Sequence, residues 1–207
     1  MHLWVFVVLY YERKLKRKGY SAIVGVDEVG RGPLAGPVVA AAVMLKSLSF
    51  KNRIDDSKKL TARQREMAFR EIIAKSIFGV GVVNEKIIDS LDILIATRMA
   101  MEQSIATLAG KLENLPKEKI HVLIDGNVRL DVGFACTNII KGDSKSISIA
   151  CASILAKVIR DHIMSLYDRL FPHYGFFQHK GYPTRIHRDA LKRFGPSVIH
   201  RVSFHSD

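Results

Sequence analysis

The chain has few of the residues that would place it in a special class. Two cysteines, Cys136 and Cys151, occur in 207 residues, and neither belongs to a CxxC pair. That excludes a disulfide scaffold and makes a cysteine zinc site a poor reading; two buried free thiols in apolar surroundings are expected instead. No apolar run approaches the ~18 residues needed to cross a bilayer. The longest, residues 3–11, has nine residues and is followed by a basic stretch, Glu12-Arg13-Lys14-Leu15-Lys16-Arg17-Lys18. With no basic segment before it and no small-residue cleavage site after it, it does not read as a signal peptide. An amphipathic helix over residues 5–18, packed on the domain, is expected; a membrane-surface anchor is the weaker alternative. No internal repeat, low-complexity tract or linker divides the chain. Acidic residues are also scarce: 20 Asp and Glu stand against 32 Lys and Arg, a formal net charge of +12 and a pI near 9.8. Such an excess points to a polyanionic partner, nucleic acid before membrane.

What is present centres on the stretch from Val24 to Pro37. Residues 23–26 read as a short buried strand, Asp27 and Glu28 follow, and Gly30, Gly32, Pro33 and Gly36 impose a tight loop carrying Arg31. Successive strand residues face opposite ways, so one cation would use both acids only where the backbone bends. The Gly25-to-Gly30 spacing starts a phosphate loop, but Arg31 and Gly32 stand where Lys and Ser or Thr are required. Residues 38–45 suit an antiparallel partner strand. Thr61 and Gln64 form a capping box for a helix to about Lys75. Residues 77–83 read as a third strand, and residues 84–109 as helix broken near Asp89 to Asp92 and stopped by Gly110. Strands over 120–124 and 135–140 end at Asp125 and near Asp143. A long helix over 144–170 and a shorter one over 184–194 complete the pattern. This is an α/β chain with an antiparallel portion.

Three strands therefore end in acids: Asp27 with Glu28, Asp125, and Asp143. Each alone has a plain explanation as a turn or a helix cap. Together they suggest a four-carboxylate cluster, unstable without a hard divalent cation such as Mg²⁺ or Mn²⁺. Ser153, within an apolar helix, reads as packing, and no side-chain nucleophile stands out.

The motifs as a set resemble those of bacterial ribonuclease HII, the type 2 ribonucleases H. They are Gly25-Val-Asp-Glu-Val-Gly-Arg-Gly-Pro-Leu-Ala-Gly-Pro-Val, Asp56-Ser-Lys-Lys-Leu, Ile124-Asp-Gly-Asn, Gly142-Asp-Ser-Lys, Ala152-Ser-Ile-Leu-Ala-Lys, Arg160-Asp, His179-Lys-Gly-Tyr-Pro-Thr, His187, Gly195-Pro and His200-Arg-Val-Ser-Phe. The resemblance spans residues 12–204. It implies a ribonuclease H-like fold: a mixed five-stranded sheet flanked by helices, with a helical C-terminal extension. The parts would be an N-terminal helical extension (1–19), a catalytic core (20–170) and a substrate-binding segment (171–207), forming one unit. It implies an endoribonuclease of cytoplasmic location, a monomer, without membrane attachment. Its substrates would be RNA–DNA hybrids and duplex DNA with single embedded ribonucleotides, cut on the 5′ side by a two-metal mechanism to leave 3′-hydroxyl and 5′-phosphate ends, in ribonucleotide and RNA-primer removal. Asp27, Glu28, Asp125 and Asp143 would bind the two Mg²⁺ or Mn²⁺ ions. Gly30, Arg31 and Gly32 would read the ribose 2′-hydroxyl, and Tyr182 would stack on the adjoining sugar. Ser57, Lys58, Lys145, Lys180 and Arg185 would hold phosphates. Two features depart from the family pattern: Pro183 where glycine is common, and the apolar start at residues 3–9. The rival reading is a non-catalytic nucleic-acid-binding protein.

Overall fold

The computed structural model describes residues 9–112 and 115–204. Five strands form one mixed sheet: β1 (Ala22–Val29), β2 (Val38–Leu45), β3 (Ser76–Val83), β4 (Ile120–Asp125) and β5 (Ala135–Ile139), in the order β3-β2-β1-β4-β5. β1 pairs antiparallel with β2, and β2 with β3; β4 is parallel to both β1 and β5. The helices are α1 (Tyr10–Arg17), α2 (Ala62–Lys75), α3 (Glu85–Leu91), α4 (Ile93–Ala109), α5 (Ile147–Leu170), α6 (Phe176–His179) and α7 (Arg185–Phe194). None of the described helices is long and apolar enough to cross a membrane.

Strand alternation sorts the core into two layers. Val24, Val26, Ala40, Ala42, Val122 and Ile124 pack with Met101, Ile105 and Leu108 of α4. On the opposite face Val39, Ala41 and Val43 pack with α2 and α5, and Ile23 and Leu123 pack with Ile149. Each fully buried side chain of this size contributes roughly 1.5–3 kcal/mol. Gly25 lets α5 lie directly on β1: a Cβ there would meet the Ser148 carbonyl carbon at 2.2 Å.

Most boundaries follow the sequence. The Thr61–Gln64 capping box forms with both of its hydrogen bonds. Asp92, at φ 81°, ends α3 and caps α4. Of the helix expected over 5–18, α1 is seen, and residues before Leu9 lie outside the described ones. Three expectations need correction. β1 does not stop at Val26: the ladder with β2 continues, pairing Asp27 with Ala41 and Glu28 with Ala40, so both acids stand inside an extended strand with no bend between them. α5 begins at Ile147, capped by Ser146, so Asp143 sits in a separate 3-10 turn (Gly142–Ser144) and does not cap α5. Cys151 is buried, but Cys136 is exposed, because β5 is an edge strand with most of its residues open to solvent.

α1 is fastened by two buried residues: Leu15, which packs with Ile23, Leu123 and Ile149, and Glu12. Glu12 is 3% exposed, and its Oε1 accepts from the Ser146 hydroxyl (2.6 Å), the Ser148 hydroxyl (2.8 Å) and the Ser148 N–H (3.1 Å). A carboxylate at the start of a 24-residue helix also complements the helix dipole. Glu12→Ala should lower the unfolding free energy by about 2 kcal/mol, read from the urea midpoint. An unchanged midpoint would mean that α1 only rests on the surface.

Candidate active site

β1 and β4 bring two acids side by side. Their parallel register ends at Val26↔Ile124, so Asp27 and Asp125 follow at the same level on adjacent strands. Both lie on the α5 face, in phase with Ile23, Gly25 and Leu123. Asp27 is 5% exposed, and its Oδ1 accepts from the Glu28 N–H at 2.8 Å. Asp125 Oδ1 accepts from the Gly142 N–H at 2.6 Å, which draws the turn holding Asp143 onto the end of β4. Glu28 faces the other way along the strand, and its carboxylate lies 3.4 Å from Arg31.

The electrostatics record this crowding. Burial, then Glu28 and Asp125, hold the Asp27 carboxyl well above the usual range. Burial also raises Glu28, against the pull of Arg31 and with Asp125 adding to the rise. Burial, Asp56 and Asp125 raise Asp143, partly offset by Lys58. Burial alone would lower Lys58, but Asp56, Asp143, Asp27 and Asp125 together raise it. Lys58 therefore lies within electrostatic reach of the acids. The four carboxylates neighbour one another without closing into one coordination shell: among the described residues no three Asp, Glu, His or Cys side chains are gathered tightly enough to hold a metal. Acids raised first by burial and then by one another's charge are nonetheless chemically suited to a hard cation, which would relieve both.

The glycine loop after β1 is gripped from behind by two buried arginines. Arg201 is 2% exposed and donates to the carbonyls of Gly30 (2.6 Å), Arg31 (3.0 Å) and Gly36 (2.7 and 3.0 Å). Arg160, fully buried, donates to Pro37 (2.9 Å), Ala35 (3.1 Å) and Lys180 (2.9 Å). Gly30, at φ 99°, is needed here: a Cβ would stand 2.3 Å from Arg160 Nε. Gly32 has nothing within 4 Å of that position, so its backbone is open to a ligand. Leu34 N–H donates to the Gly181 carbonyl, which sets the Tyr182 turn beside the loop. The Tyr182 ring is 37% exposed, 5.8 Å from Lys157 Nζ and 5.9 Å from the Arg160 guanidinium.

Three histidines lock that turn. The Ser197 N–H donates to His200 Nδ1 at 2.8 Å, so His200 carries its proton on Nε2 and donates it to His187 Nε2 at 3.0 Å. His187 then carries its proton on Nδ1 and donates to the Tyr182 carbonyl at 3.0 Å. His179 accepts from the Gly181 N–H and donates to the Tyr174 carbonyl. Each ring has one donor and one acceptor used, so a second proton on any ring breaks a bond. Burial pushes His187 and His200 down to about 4 and lowers His179. Neutral imidazole is the folded form; the stability it lends is complete above about 6.5 and lost as pH falls toward 4. For His187 and His200 the shift corresponds to on the order of 3 kcal/mol each. The raised acids have the opposite sign, so a global melt would mix the two. Amide protection of α7 should collapse between pH 6.5 and 4 while that of β1 persists; equal protection in both would contradict the histidine lock.

The other expected substrate contacts scatter. The Ser57 hydroxyl is turned inward, 3.0 Å from that of Ser153. Lys145 Nζ is tied to the Ile140 carbonyl (2.8 Å). Lys180 donates to the Ser165 hydroxyl (3.0 Å) and lies over the Phe177 ring. The Arg185 side chain is 95% exposed, 3.7 Å from Asp189. Sequence reasoning gave no role to Arg160, Arg201 or the histidine chain, and took Ser153 as packing, although Ser153 adjoins both Ser57 and the Asp27 carboxyl. The signal for the arginines was there: Arg160 interrupts an otherwise apolar helix face.

The ribonuclease HII family model matches residues 24–206. A ribonuclease HII of Acetivibrio thermocellus is 48% identical over 196 residues, covering 94% of this chain and 73% of that protein. One from Syntrophotalea carbinolica is 43% identical over 197 residues, covering 95% and 91%. Among solved structures, Archaeoglobus fulgidus RNase HII, in complex with PCNA, superposes with a TM-score of 0.70 at 24% identity, over 89% of this chain and 95% of that one. Bst-RNase HIII, in complex with Mn²⁺, gives 0.70 at 17% identity, over 93% and 70%. These likenesses bear on the fold, and the sheet with its helical C-terminal part is that of ribonucleases HII and HIII. With the family model spanning all four acids, the glycine loop and the tyrosine turn, the chain belongs to the ribonuclease HII family and is a hydrolase of the ribonuclease H type.

Proposed function

We propose that this hydrolase cuts the RNA strand of RNA–DNA hybrids, and cuts 5′ to single ribonucleotides embedded in duplex DNA, using Asp27, Glu28, Asp125 and Asp143 to hold two divalent cations, Mg²⁺ or Mn²⁺. The observation that carries the reading is the meeting of mutually repelling acids with an open glycine turn. Asp27 and Asp125 stand level on adjacent strands, and Glu28 leads within two residues into Gly30. The cations would supply an activated water and stabilise the leaving 3′ oxygen. The chain does the rest. Asp27 and Asp125 are fixed by backbone N–H groups before substrate arrives. Lys58 offers its charge to the phosphate being cut. The peptide groups of Gly30, Arg31 and Gly32, held by Arg201, approach the ribose 2′-hydroxyl, the group that distinguishes RNA from DNA at a single nucleotide. Tyr182, held through its carbonyl by His187, presents a flat ring to the adjoining sugar.

The test is a DNA duplex with one embedded ribonucleotide, incubated with Mg²⁺ or Mn²⁺ and then with chelator. A nick 5′ to the ribonucleotide, absent with chelator and absent on the all-DNA duplex, is expected. Binding without a metal-dependent nick would leave a nucleic-acid-binding protein and overturn the proposal.

A further inference from the structure

Beside the acids lies a basic cleft of about 270 Å³ between the start of α4 and the loop that follows β4, lined by Arg31, Arg98 and Arg129. Two of these arginines have an acidic neighbour: Arg31 with Glu28 at 3.4 Å, and Arg98 with Glu102 at 3.1 Å. Arg129 is exposed and pairs with no acid among the described residues. Glu102 also accepts from the Asp131 N–H (3.0 Å), which holds the Arg129 loop against α4. Thr97 on the cleft wall is 1% exposed, and its hydroxyl has no hydrogen-bond partner among the described residues. Leu94 (60% exposed) and Ile95 (45% exposed) add apolar surface at the rim. The end of α4 is not itself the attraction, because the Asp92 side chain already takes the Leu94 and Ile95 N–H groups.

Resting on the proposed function, we infer that this cleft is a second anchoring site for the substrate, taking backbone phosphates of the duplex on the far side of the glycine loop from Tyr182. Three arginines face only two carboxylates here, Glu28 and Glu102, so the cleft keeps a net positive charge, centred on the unpaired Arg129, that an anion would neutralise. The apolar rim suits sugar edges better than it suits water. Continuity with the acids identifies the anion as substrate. Arg129 follows Asp125 by four residues, so their Cα atoms are within about 14 Å, and Arg31 belongs to both places. A nucleic-acid strand lying across the acids therefore has phosphates within reach of the cleft. Free phosphate or an acidic peptide would satisfy the charge but would have no reason to use the residue shared with the site.

The measurement is the affinity of the full chain for the ribonucleotide-containing duplex, in chelator, across a series of KCl concentrations. The Arg98→Ala/Arg129→Ala variant removes two exposed side chains, so its fold should be intact, which circular dichroism checks. Its plot of log affinity against log salt should be shallower by about 1.8, roughly 0.9 per lost phosphate contact, with binding weaker on the order of tenfold at 0.1 M salt. An Arg63→Ala/Arg70→Ala variant on α2 loses the same charge and should keep the wild-type slope. An unchanged slope in the first variant, or an equal loss in the second, overturns the inference. Nicking by the wild-type chain is read separately with Mg²⁺: failure there counts against the proposed function, whereas the salt slope counts only for or against the cleft.

Discussion

Asp27→Asn should reduce cleavage by about 10³-fold or more, on the order of 4 kcal/mol of transition-state stabilisation, while duplex affinity in chelator stays within about twofold of wild type. The same substitution should make the metal-free protein more stable. Wild-type Asp27 is buried beside Glu28 and Asp125, and its carboxyl is raised because the folded state disfavours its charge. A carboxyl raised in this way costs stability as pH climbs above its unfolded value near 4, so the penalty is in force at neutral pH. Asparagine is nearly isosteric, keeps an oxygen for the Glu28 N–H, and carries no charge. Its melting temperature should exceed that of wild type in chelator, and the gap should close or reverse as Mg²⁺ is added, since cation binding stabilises only the intact acid set. Retained cleavage would remove Asp27 from the reaction. A lower melting temperature in chelator would show that the carboxylate is a structural hydrogen-bonding group and that repulsion is not what shapes the site.

Arg201→Met should lower stability by about 3–5 kcal/mol, because three buried carbonyls of the glycine loop lose their donors together. Arg201→Lys should recover little of that loss. One ammonium cannot span Gly30, Arg31 and Gly36 as a planar guanidinium does. Burial and the neighbouring Arg160 push Arg201 down to about 9, so it remains charged at neutral pH. Urea unfolding followed by circular dichroism checks the magnitude. At temperatures where the Lys variant is still folded, its preference for a ribonucleotide over a deoxynucleotide should shrink, because the loop backbone proposed to meet the ribose is no longer fixed. A variant within 1 kcal/mol of wild type, with unchanged preference, would contradict the role given to the grip.

Local signals in the sequence gave reliable local structure. The Thr61–Gln64 capping box, the helix break at Asp92 and the Gly195-Pro196 stop each depend on a few adjacent residues, and each stands where expected. The acids were also legible, because Asp125 ends a conspicuous apolar run and Asp143 follows another. The extent of β1 was not, since the β2 ladder carries the strand through Asp27 and Glu28, and no residue within β1 announces that pairing. Arg160 is conspicuous in an apolar helix face, but what it and Arg201 hold was not legible, for a related reason. A charged residue reads as solvated unless its partners are known, and here all but one of the partner carbonyls are more than a hundred positions away. The histidine chain needs three residues from separate turns, and only the fold reveals their order. Cys136 misled because apolar neighbours in sequence do not bury a residue on an edge strand.

The span between Arg201 and Gly30 is 171 positions, and between Arg201 and Gly36 it is 165. A ribosome must therefore add all of those residues after Gly30 before the glycine loop can be secured. The sheet, with Asp27 and Asp125 already level, can form from the emerging chain well before then, because domains tend to fold from the N-terminus during synthesis. Contacts of such long range also close slowly. A nascent chain that has not yet reached Arg201 would carry Asp27 and Asp125 in place beside a glycine loop that nothing grips from behind.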